Sequence, residues 1–470
     1  MKITAGIFIG LTVVALSVQP ACAQRVTLDI PTTLRHAGIS LIVSETTGGT
    51  TIAALNAERS ATPASITKLM TTATALEMLG DDFRFATAIA CDGTLLDGTL
   101  DGNLYIVGDG DPSLGSRYTG ETDFLSHWCE KLRQCGIRQI GGDIVADASI
   151  YDRTALPPRW TWEDIGNYYA AGVFGLSVFD NTIGITMRTG AVGSRPTILD
   201  VAPHPHGLQL DNQLVVTHTK TDSAYIYGIP YNNHRLMTGA VPENRSRFVL
   251  KGDLPNPPLC AAEQLAAQLR ANGIAIAGTA TDQPKPEGGA RTILFEHRSQ
   301  PLSELCRIVN FNSNNNYAEH LLRRLAPRTD APATHNAALQ AVTDFWKRRG
   351  IDFGGVSLND GSGLSPMNAF PATFLNEILI QMAKSPHFDT FLGTIPRVGK
   401  EGSVAHFMKT EKSADIYAKS GSMDGVQAYA GYIVKNGTTY SFCIMVNHFD
   451  RRQDARRAIE QWLHKIIATL

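Results

Sequence analysis

The order of strand and helix patterns constrains the fold of this chain most strongly, because the same pattern stands at both of its ends. Near the start, "ISLIVSETTGGTTIAALNAER" (39–59) alternates around two glycines and predicts a β-hairpin. A helix is expected directly after it, up to Gly80, with apolar residues at helical spacing. Near the other end, "AYAGYIVKNGTTYSFCIMV" surrounds Asn436-Gly437, a pair typical of a type I′ hairpin, and a helix is expected over 454–470. Both ends are therefore predicted to supply strands and helices.

The middle of the chain differs from both ends. Residues 86 to about 289 consist of short strand-and-turn stretches such as "DGTLDGNLYIVGDGDPSLG", and helices are expected again from Leu302. With 470 residues, of which 43% are hydrophobic, the chain is long enough for more than one domain. The formal net charge of −2 offers no electrostatic basis for nucleic acid as a partner.

The first residues predict export. "MKITAGIFIGLTVVALSVQPACAQ" has one lysine, a short apolar run and Ala-Cys-Ala, so residues 1–23 are interpreted as a signal peptide cleaved after Ala23. Lipid attachment at Cys22 is less favoured, because Gln19 stands where that motif has leucine. The chain is therefore expected to be exported.

Export permits disulfides among the six remaining cysteines, but their spacing does not define a connectivity. A bridge between Cys129 and Cys135 is disfavoured, since both lie on one expected helix. No CxxC or HxxxH pattern occurs, so no metal is expected. The C-terminal helix is expected to pack on the sheet rather than to contact a membrane surface, because its polar face has arginines only at its start.

One serine–lysine pair in "ATPASITKLM" carries possible chemistry. Ser65 and Lys68 lie three residues apart, so on a helix they share a face and the amine can reach the hydroxyl. A lysine acts as a base only when burial or a neighbouring cation lowers its pKa, so this hypothesis requires a second positive charge nearby. The alternative is an ordinary polar helix face, although no other lysine in the chain has a serine three residues before it.

Two later segments offer the missing groups. "NFNSNNNYAEHLLRRL" places Ser313 and Asn315 at the front of an expected helix, where such residues are also ordinary caps. "YAKSGSMDG" places Lys419 before Ser-Gly-Ser at the start of an expected strand, where small residues also serve close packing. Lys419 would be the second cation.

Together the three segments match, in order, the S-x-x-K, S-x-N and K-T/S-G set of penicillin-recognising serine enzymes. The chain resembles the D-alanyl-D-alanine carboxypeptidase/endopeptidase family, the class C penicillin-binding proteins with a large insertion between the first two motifs. "YIVGDGDPSL", "GGDIVADASIYD", "RWTWEDIGNYYAAGVFGLSVFDN" and "LNDGSGLSPMN" are similar to further segments of that family.

The resemblance implies an α/β fold of the β-lactamase/transpeptidase type, an antiparallel sheet between helices, with strand-rich inserted domains. The catalytic domain would comprise residues 24–85 and 290–470, and the insertion residues 86–289. It implies no cofactor. The implied partners are peptidoglycan stem peptides ending in D-Ala-D-Ala and β-lactam antibiotics.

The resemblance also implies a role for each motif residue. Ser65 would attack the carbonyl of the D-Ala-D-Ala bond and form an acyl-enzyme, with Lys68 as its proton acceptor. Ser313 would relay a proton to the leaving amine, and Asn315 would hydrogen-bond the substrate peptide. Lys419 would supply the field that keeps Lys68 deprotonatable.

The third motif would bind the substrate. The hydroxyls of Ser420 and Ser422 would receive the terminal carboxylate, Gly421 would let the ligand approach the backbone, and the N–H groups of Ser65 and Ser422 would form the oxyanion hole. The loop "DGSGLSP" (360–366) is expected to support the site without acting in catalysis.

Two alternatives stay open. A β-lactamase shares these motifs, although the 248 residues between Ser65 and Ser313 leave room for inserted domains that such enzymes lack. A catalytically inactive peptidoglycan-binding protein is disfavoured, because a binder needs no nucleophile. The sequence does not distinguish carboxypeptidase trimming from endopeptidase cleavage.

Overall fold

The computed structural model describes residues 26–284 and 290–470. The predicted signal peptide, 1–23, lies outside these residues. Within the described part, no helix is long and apolar enough to cross a membrane.

The described residues form helices and strands that we number in chain order. The helices are α1 (Thr67–Leu79), α2 (Phe124–Gln134), α3 (Pro257–Ala271), α4 (Leu302–Asn312), α5 (Asn315–Arg324), α6 (His335–Arg348), α7 (Ala372–Met382), α8 (Phe388–Gly393) and α9 (Arg452–Ile467). The strands are β1 (Gly38–Glu45), β2 (Thr51–Leu55), β3 (Ala86–Cys91), β4 (Thr94–Leu96), β5 (Thr99–Asp101), β6 (Leu104–Val107), β7 (Gln139–Ile140), β8 (Ile144–Asp147), β9 (Thr182–Arg188), β10 (Thr197–Ala202), β11 (Gln209–Asn212), β12 (Val215–Thr217), β13 (Tyr225–Tyr227), β14 (His234–Thr238), β15 (Ala240–Pro242), β16 (Phe248–Asp253), β17 (Ala275–Ile276), β18 (Ala280–Thr281), β19 (Thr292–Arg298), β20 (Asp415–Met423), β21 (Val426–Lys435) and β22 (Thr438–Asn447).

A five-stranded antiparallel sheet joins the two ends of the chain. Its strand order is β2-β1-β22-β21-β20, and β1 pairs with β22 in a register that places Ile42 opposite Cys443. Successive side chains of a strand point to opposite faces. One face is therefore buried with α1, α4, α5 and α7, and the other with α9. The predicted α/β fold with an antiparallel sheet between helices is confirmed.

Both predicted hairpins form. β1 and β2 pair antiparallel, and β21 and β22 are joined by Asn436 and Gly437 with φ of +52° and +78°. Positive φ at both turn residues is what a type I′ turn requires, and asparagine and glycine adopt it readily. The apolar face of α9 lies in the core beside the sheet, as expected for packing.

Helix α1 differs from expectation in its surroundings. An amphipathic helix was expected from the helical spacing of its apolar residues, yet every residue from Thr67 to Leu76 is buried. Its threonines point into the protein and satisfy their hydroxyls there: Thr71 donates to Gly361 O at 2.7 Å and Thr74 to Met70 O at 2.6 Å. The polar residues of α1 thus mark the central position of the helix rather than an exposed face.

The middle of the chain folds into several smaller sheets around α2 and α3. One has the order β18-β8-β6-β3-β19 and another the order β17-β7-β5-β4. The eight strands β9 to β16 form three further sheets. β19 pairs with β3, so the first of these sheets includes residues 292–298. The domain bounds 24–85, 86–289 and 290–470 stay a prediction. The six described cysteines are free: Cys91, Cys129, Cys135, Cys260, Cys306 and Cys443.

Candidate active site

The turn in front of α1 brings Ser65 and Lys68 together. Residues Ala64–Ile66 form a 3₁₀ turn that runs into α1, and Ala64 has a left-handed φ of +49°. Lys68 lies in the first turn of α1, and its Nζ is 3.0 Å from Ser65 Oγ. Ser65 is half-buried, whereas the Lys68 side chain has an exposed fraction of 0%. The hydroxyl is therefore reachable from solvent, and the amine is not.

Two acceptors hold the Lys68 amine. Its Nζ donates to Asn315 Oδ1 at 2.6 Å and to the Ser362 carbonyl oxygen at 2.5 Å. An unprotonated amine has two N–H donors and one lone pair. With both donors engaged by these acceptors, the lone pair is left for the third neighbour, the hydroxyl proton of Ser65.

Burial allows the Lys68 amine to be neutral at ordinary pH. It lowers the pKa of Lys68 to about 7, against the nearby charges of Asp360 and Glu319, which raise that pKa. The shift from the ordinary value of 10.5 corresponds to about 5 kcal/mol of preference against the charged form.

Lys419 lies beside the second motif. Ser313 ends α4 with a left-handed φ of +54°, and its Oγ accepts a hydrogen bond from Lys419 Nζ at 2.9 Å. Lys419 also donates to the Ser420 carbonyl oxygen at 2.7 Å. Its pKa lies well below the ordinary lysine value because it is buried and, second, because the Lys68 charge is near.

The second cation therefore acts differently from what the sequence led us to expect. Lys419 was expected to be the main reason for a deprotonatable Lys68, yet desolvation dominates for both lysines. Two like charges in one buried site disfavour double protonation, and this repulsion adds to the effect of burial. Lys68 contacts Asn315 on α5 and Ser362 in the loop 360–366, and no local spacing could have indicated that burial.

The start of the third motif lies directly against the Ser65 turn. On β20, a Cβ at Gly421 would lie 2.5 Å from Pro63 O and 3.0 Å from Ser65 N. Only glycine fits this approach, so the space at Gly421 is occupied by the Ser65 turn itself. Ser420 Oγ lies 2.8 Å from Ser403 Oγ, and Ser422 is exposed.

The loop 360–366 is held under the site by a buried carboxylate that the sequence analysis missed. Glu319 accepts hydrogen bonds from Gly361 N at 3.0 Å and from Ser362 N at 2.6 Å. Burial, followed by the neighbouring Asp360, raises the pKa of Glu319. Because Ser362 O in turn contacts Lys68, Glu319 fixes one of the two acceptors of that amine. A signal was present: Glu319 lies four residues after Asn315, on the same face of α5.

The middle of the chain also reaches the site, although its sequence contains no catalytic constellation. Trp160 Nε1 donates to Asp360 Oδ2 at 2.9 Å, and Asn315 Nδ2 donates to the Tyr169 carbonyl oxygen at 2.8 Å. Asn315 therefore spans Lys68 and the inserted segment. Sequence reasoning could not find these contacts, because an indole and a backbone carbonyl carry no motif.

The comparisons with known proteins match most of the chain. The family model described as D-Ala-D-Ala carboxypeptidase 3 (S13) matches residues 24–466. A D-alanyl-D-alanine carboxypeptidase of Actinomadura sp. (strain R39) is 28% identical over 427 residues, 88% of this chain and 78% of that protein.

Solved structures give the same result. Penicillin binding protein 4 (dacB) from Haemophilus influenzae superposes with a TM-score of 0.81 at 25% identity, covering 93% of this chain and 98% of that one. The same protein complexed with a novel β-lactam has a TM-score of 0.76 at 24% identity, with the same coverage. The similarity thus includes the inserted segment as well as the sheet that carries the motifs.

Proposed function

The chain belongs to the D-Ala-D-Ala carboxypeptidase 3 (S13) family and is a serine-type D-Ala-D-Ala carboxypeptidase; we propose that Ser65 is its nucleophile and Lys68 the base. One observation carries this proposal: Lys68 Nζ lies 3.0 Å from Ser65 Oγ, buried, with its other two contacts made to acceptors. In this arrangement the neutral amine takes the hydroxyl proton as Oγ attacks the carbonyl carbon of the penultimate D-alanine.

The second motif completes the acylation step. The bond from that carbonyl carbon to the amide nitrogen breaks, and the nitrogen must gain a proton before the terminal D-alanine leaves. We assign this delivery to Ser313: its hydroxyl would give its proton to the nitrogen and regain, through the neighbouring polar groups, the proton that Lys68 took from Ser65, while Lys419 holds that hydroxyl at 2.9 Å. A water then hydrolyses the ester, which returns Ser65 and releases the shortened peptide. The side chains of Lys68, Ser313 and Lys419 would thus transfer the proton in both acylation and deacylation.

Substrate binding falls to the third motif and Asn315. Ser420 and Ser422, on either side of Gly421, would receive the terminal carboxylate, and the N–H groups of Ser65 and Ser422 would stabilise the oxyanion. The tight packing of β20 on the Ser65 turn supports this role, because it brings both backbone segments side by side. Asn315 would bind the peptide chain with the amide hydrogen not used by Tyr169.

The finer function follows from the same site. The substrates would be peptidoglycan stem peptides ending in D-Ala-D-Ala, and β-lactams would acylate Ser65 in their place, as the complexed Haemophilus influenzae protein suggests. Endopeptidase cleavage of crosslinks is proposed as a second activity of the same nucleophile. The enzyme would act in the bacterial periplasm or envelope after removal of residues 1–23.

A fluorescent penicillin tests the nucleophile. We expect one covalent label per chain, on a peptide containing Ser65, and none in Ser65→Ala. Lys68→Ala should fold and fail to acylate, because the base is gone while the hydroxyl remains. Normal acylation of Lys68→Ala would remove Lys68 from the mechanism.

The same experiment separates the alternatives. A stable label supports the carboxypeptidase, whereas rapid release of hydrolysed drug would favour a β-lactamase. An unlabelled wild type that still binds a D-Ala-D-Ala peptide would point to an inactive binding protein. Mass analysis of products from purified peptidoglycan then measures trimming against crosslink cleavage.

A further inference from the structure

The inserted segment exposes a row of three aromatic rings. Trp162 stacks on Tyr227 with centroids 5.8 Å apart and planes 11° apart, and Tyr227 stacks on Tyr225 at 6.2 Å and 18°. Trp162 has an exposed fraction of 65% and Tyr225 of 40%. Tyr225 and Tyr227 are two residues apart on β13 and so point to the same side. A contiguous exposed aromatic surface of this kind marks an interaction site.

Two hydrogen bonds connect the segment that carries Trp162 to the candidate active site. Trp162 is two residues from Trp160, which donates to Asp360 beneath the site. The same segment continues to Tyr169, whose carbonyl accepts from Asn315. The segment that carries Trp162 therefore contacts the candidate active site through Trp160 and Tyr169.

A cleft adjoins the row at Tyr225 and includes Tyr169, whose carbonyl accepts from Asn315. It has a volume of about 410 Å³ and is lined by Tyr168, Tyr169 and Tyr225 among others. Tyr168 and Tyr169 meet edge to face at 5.5 Å. Asp222 and Lys251 supply charged groups at its wall. Tyrosine rings beside polar and charged wall residues suit a ligand that has both apolar faces and hydroxyl or amide groups.

The edge of β13 argues against a peptide strand as the ligand. β13 is the last strand of its sheet, so an added strand would need its outward N–H groups. Ile226 N already donates to Asn167 Oδ1 at 3.1 Å. Gly166 also packs so closely that a Cβ there would lie 2.3 Å from Ile226 O. The edge is covered, and the exposed parts of the Trp162 and Tyr225 rings at the two ends of the row remain available.

We infer that the row Trp162–Tyr227–Tyr225 and the adjoining cleft bind the glycan strand of peptidoglycan. Pyranose rings present flat faces of C–H groups, which pack on aromatic rings, while their hydroxyl and acetamido groups hydrogen-bond at the edges. This inference rests on the proposed function, because the glycan carries the stem peptide to Ser65. It makes the inserted segment a substrate-binding element for polymeric substrate.

Binding of peptide-free glycan tests the inference directly. The probe is soluble strands of alternating N-acetylglucosamine and N-acetylmuramic acid without stem peptides, titrated by calorimetry into the whole enzyme. We expect saturable binding that Trp162→Ala and Tyr227→Ala each weaken about tenfold, equal to about 1.4 kcal/mol. Trp162→Phe should retain most of it. Leu199→Ala is the control, since Leu199 is an apolar residue with an exposed fraction of 51% elsewhere on the insertion.

A kinetic comparison separates this role from a peptide subsite. Trp162→Ala should raise KM for stem peptides attached to glycan and leave kcat/KM for a free pentapeptide unchanged. No glycan binding by the wild type, equal binding by Trp162→Ala, or equal losses on both substrates would each overturn the inference. Failure of the proposed function appears separately, as an absence of penicillin labelling at Ser65 in the wild type.

Discussion

The pH dependence of acylation is the sharpest test of the site, because it reports the protonation of Lys68. Acylation requires the neutral amine, so the rate should rise with pH through the pKa of Lys68, about 7. The sign is fixed by chemistry: protonation of this amine occupies the lone pair that takes the Ser65 proton. Below the midpoint, each pH unit should reduce the rate about tenfold.

The structure sets the size of the effect. With a pKa of about 7, the neutral fraction of Lys68 is about 90% at pH 8 and about 1% at pH 5. The second-order rate of penicillin acylation should therefore fall about a hundredfold between these values. An exposed lysine near 10.5 would instead leave the rate rising throughout this range without a plateau.

Removing a charged group near Lys68 should move the midpoint of the pH–rate profile. The charged and titratable groups around Lys68 are Glu319, Asp360 and Lys419. Glu319 raises the pKa of Lys68 only in its charged form, and burial raises the pKa of Glu319 itself, so Glu319→Gln should shift the midpoint only slightly, to lower pH, while lowering the plateau through the weakened loop. Glu263→Gln on α3, far from the motifs in the fold, is the matched control and should leave the profile unchanged.

The assay is stopped-flow acylation by a fluorescent penicillin from pH 5 to 9, with circular dichroism at each pH to verify folding. A rate that is constant between pH 5 and 7 in folded enzyme would refute the assignment of Lys68 as base. A Glu319→Gln midpoint moved to higher pH would refute the electrostatic argument, because removing a negative charge cannot stabilise the ammonium form.

Three substitutions test the supports of the site. Trp160→Phe removes the indole N–H that Asp360 accepts, so the free energy of unfolding in urea should fall by about 1.5–3 kcal/mol. Gly421→Ala places a Cβ 2.5 Å from Pro63 O, so penicillin acylation should fall at least about tenfold while circular dichroism stays near that of the wild type. Leu69→Ala opens a cavity in the fully buried α1 and should cost about 2–5 kcal/mol in the same unfolding experiment.

Each of these outcomes has a contrary result. Unchanged stability of Trp160→Phe would mean that the hydrogen bond from the indole to Asp360 contributes nothing measurable to folding. Full activity of Gly421→Ala would show that β20 and the Ser65 turn separate easily. A loss below about 1 kcal/mol for Leu69→Ala would contradict the buried position of α1.

The features that could be predicted from the sequence depend on contacts between residues that are close together in the chain. The Ser65–Lys68 pair depends only on the three-residue spacing at a helix start, and the Asn436-Gly437 turn depends on the φ preferences of two residues. Both features therefore follow from residues that are neighbours in the chain. The resemblance of the three motifs then added the fold and the family, which the comparisons confirm.

The sequence by itself thus determined the proximity of Ser65 and Lys68, the two hairpins and the family. The tertiary structure alone decided that residues Thr67 to Leu76 of α1 are all buried and that Lys68 is held by Asn315 and Ser362, which are 247 and 294 residues away. It also decided that the inserted segment contacts the site and presents an aromatic row beside it. The physical reason is desolvation: the pKa of a lysine depends on which remote segments exclude water from it, and only the folded path of the chain brings them together.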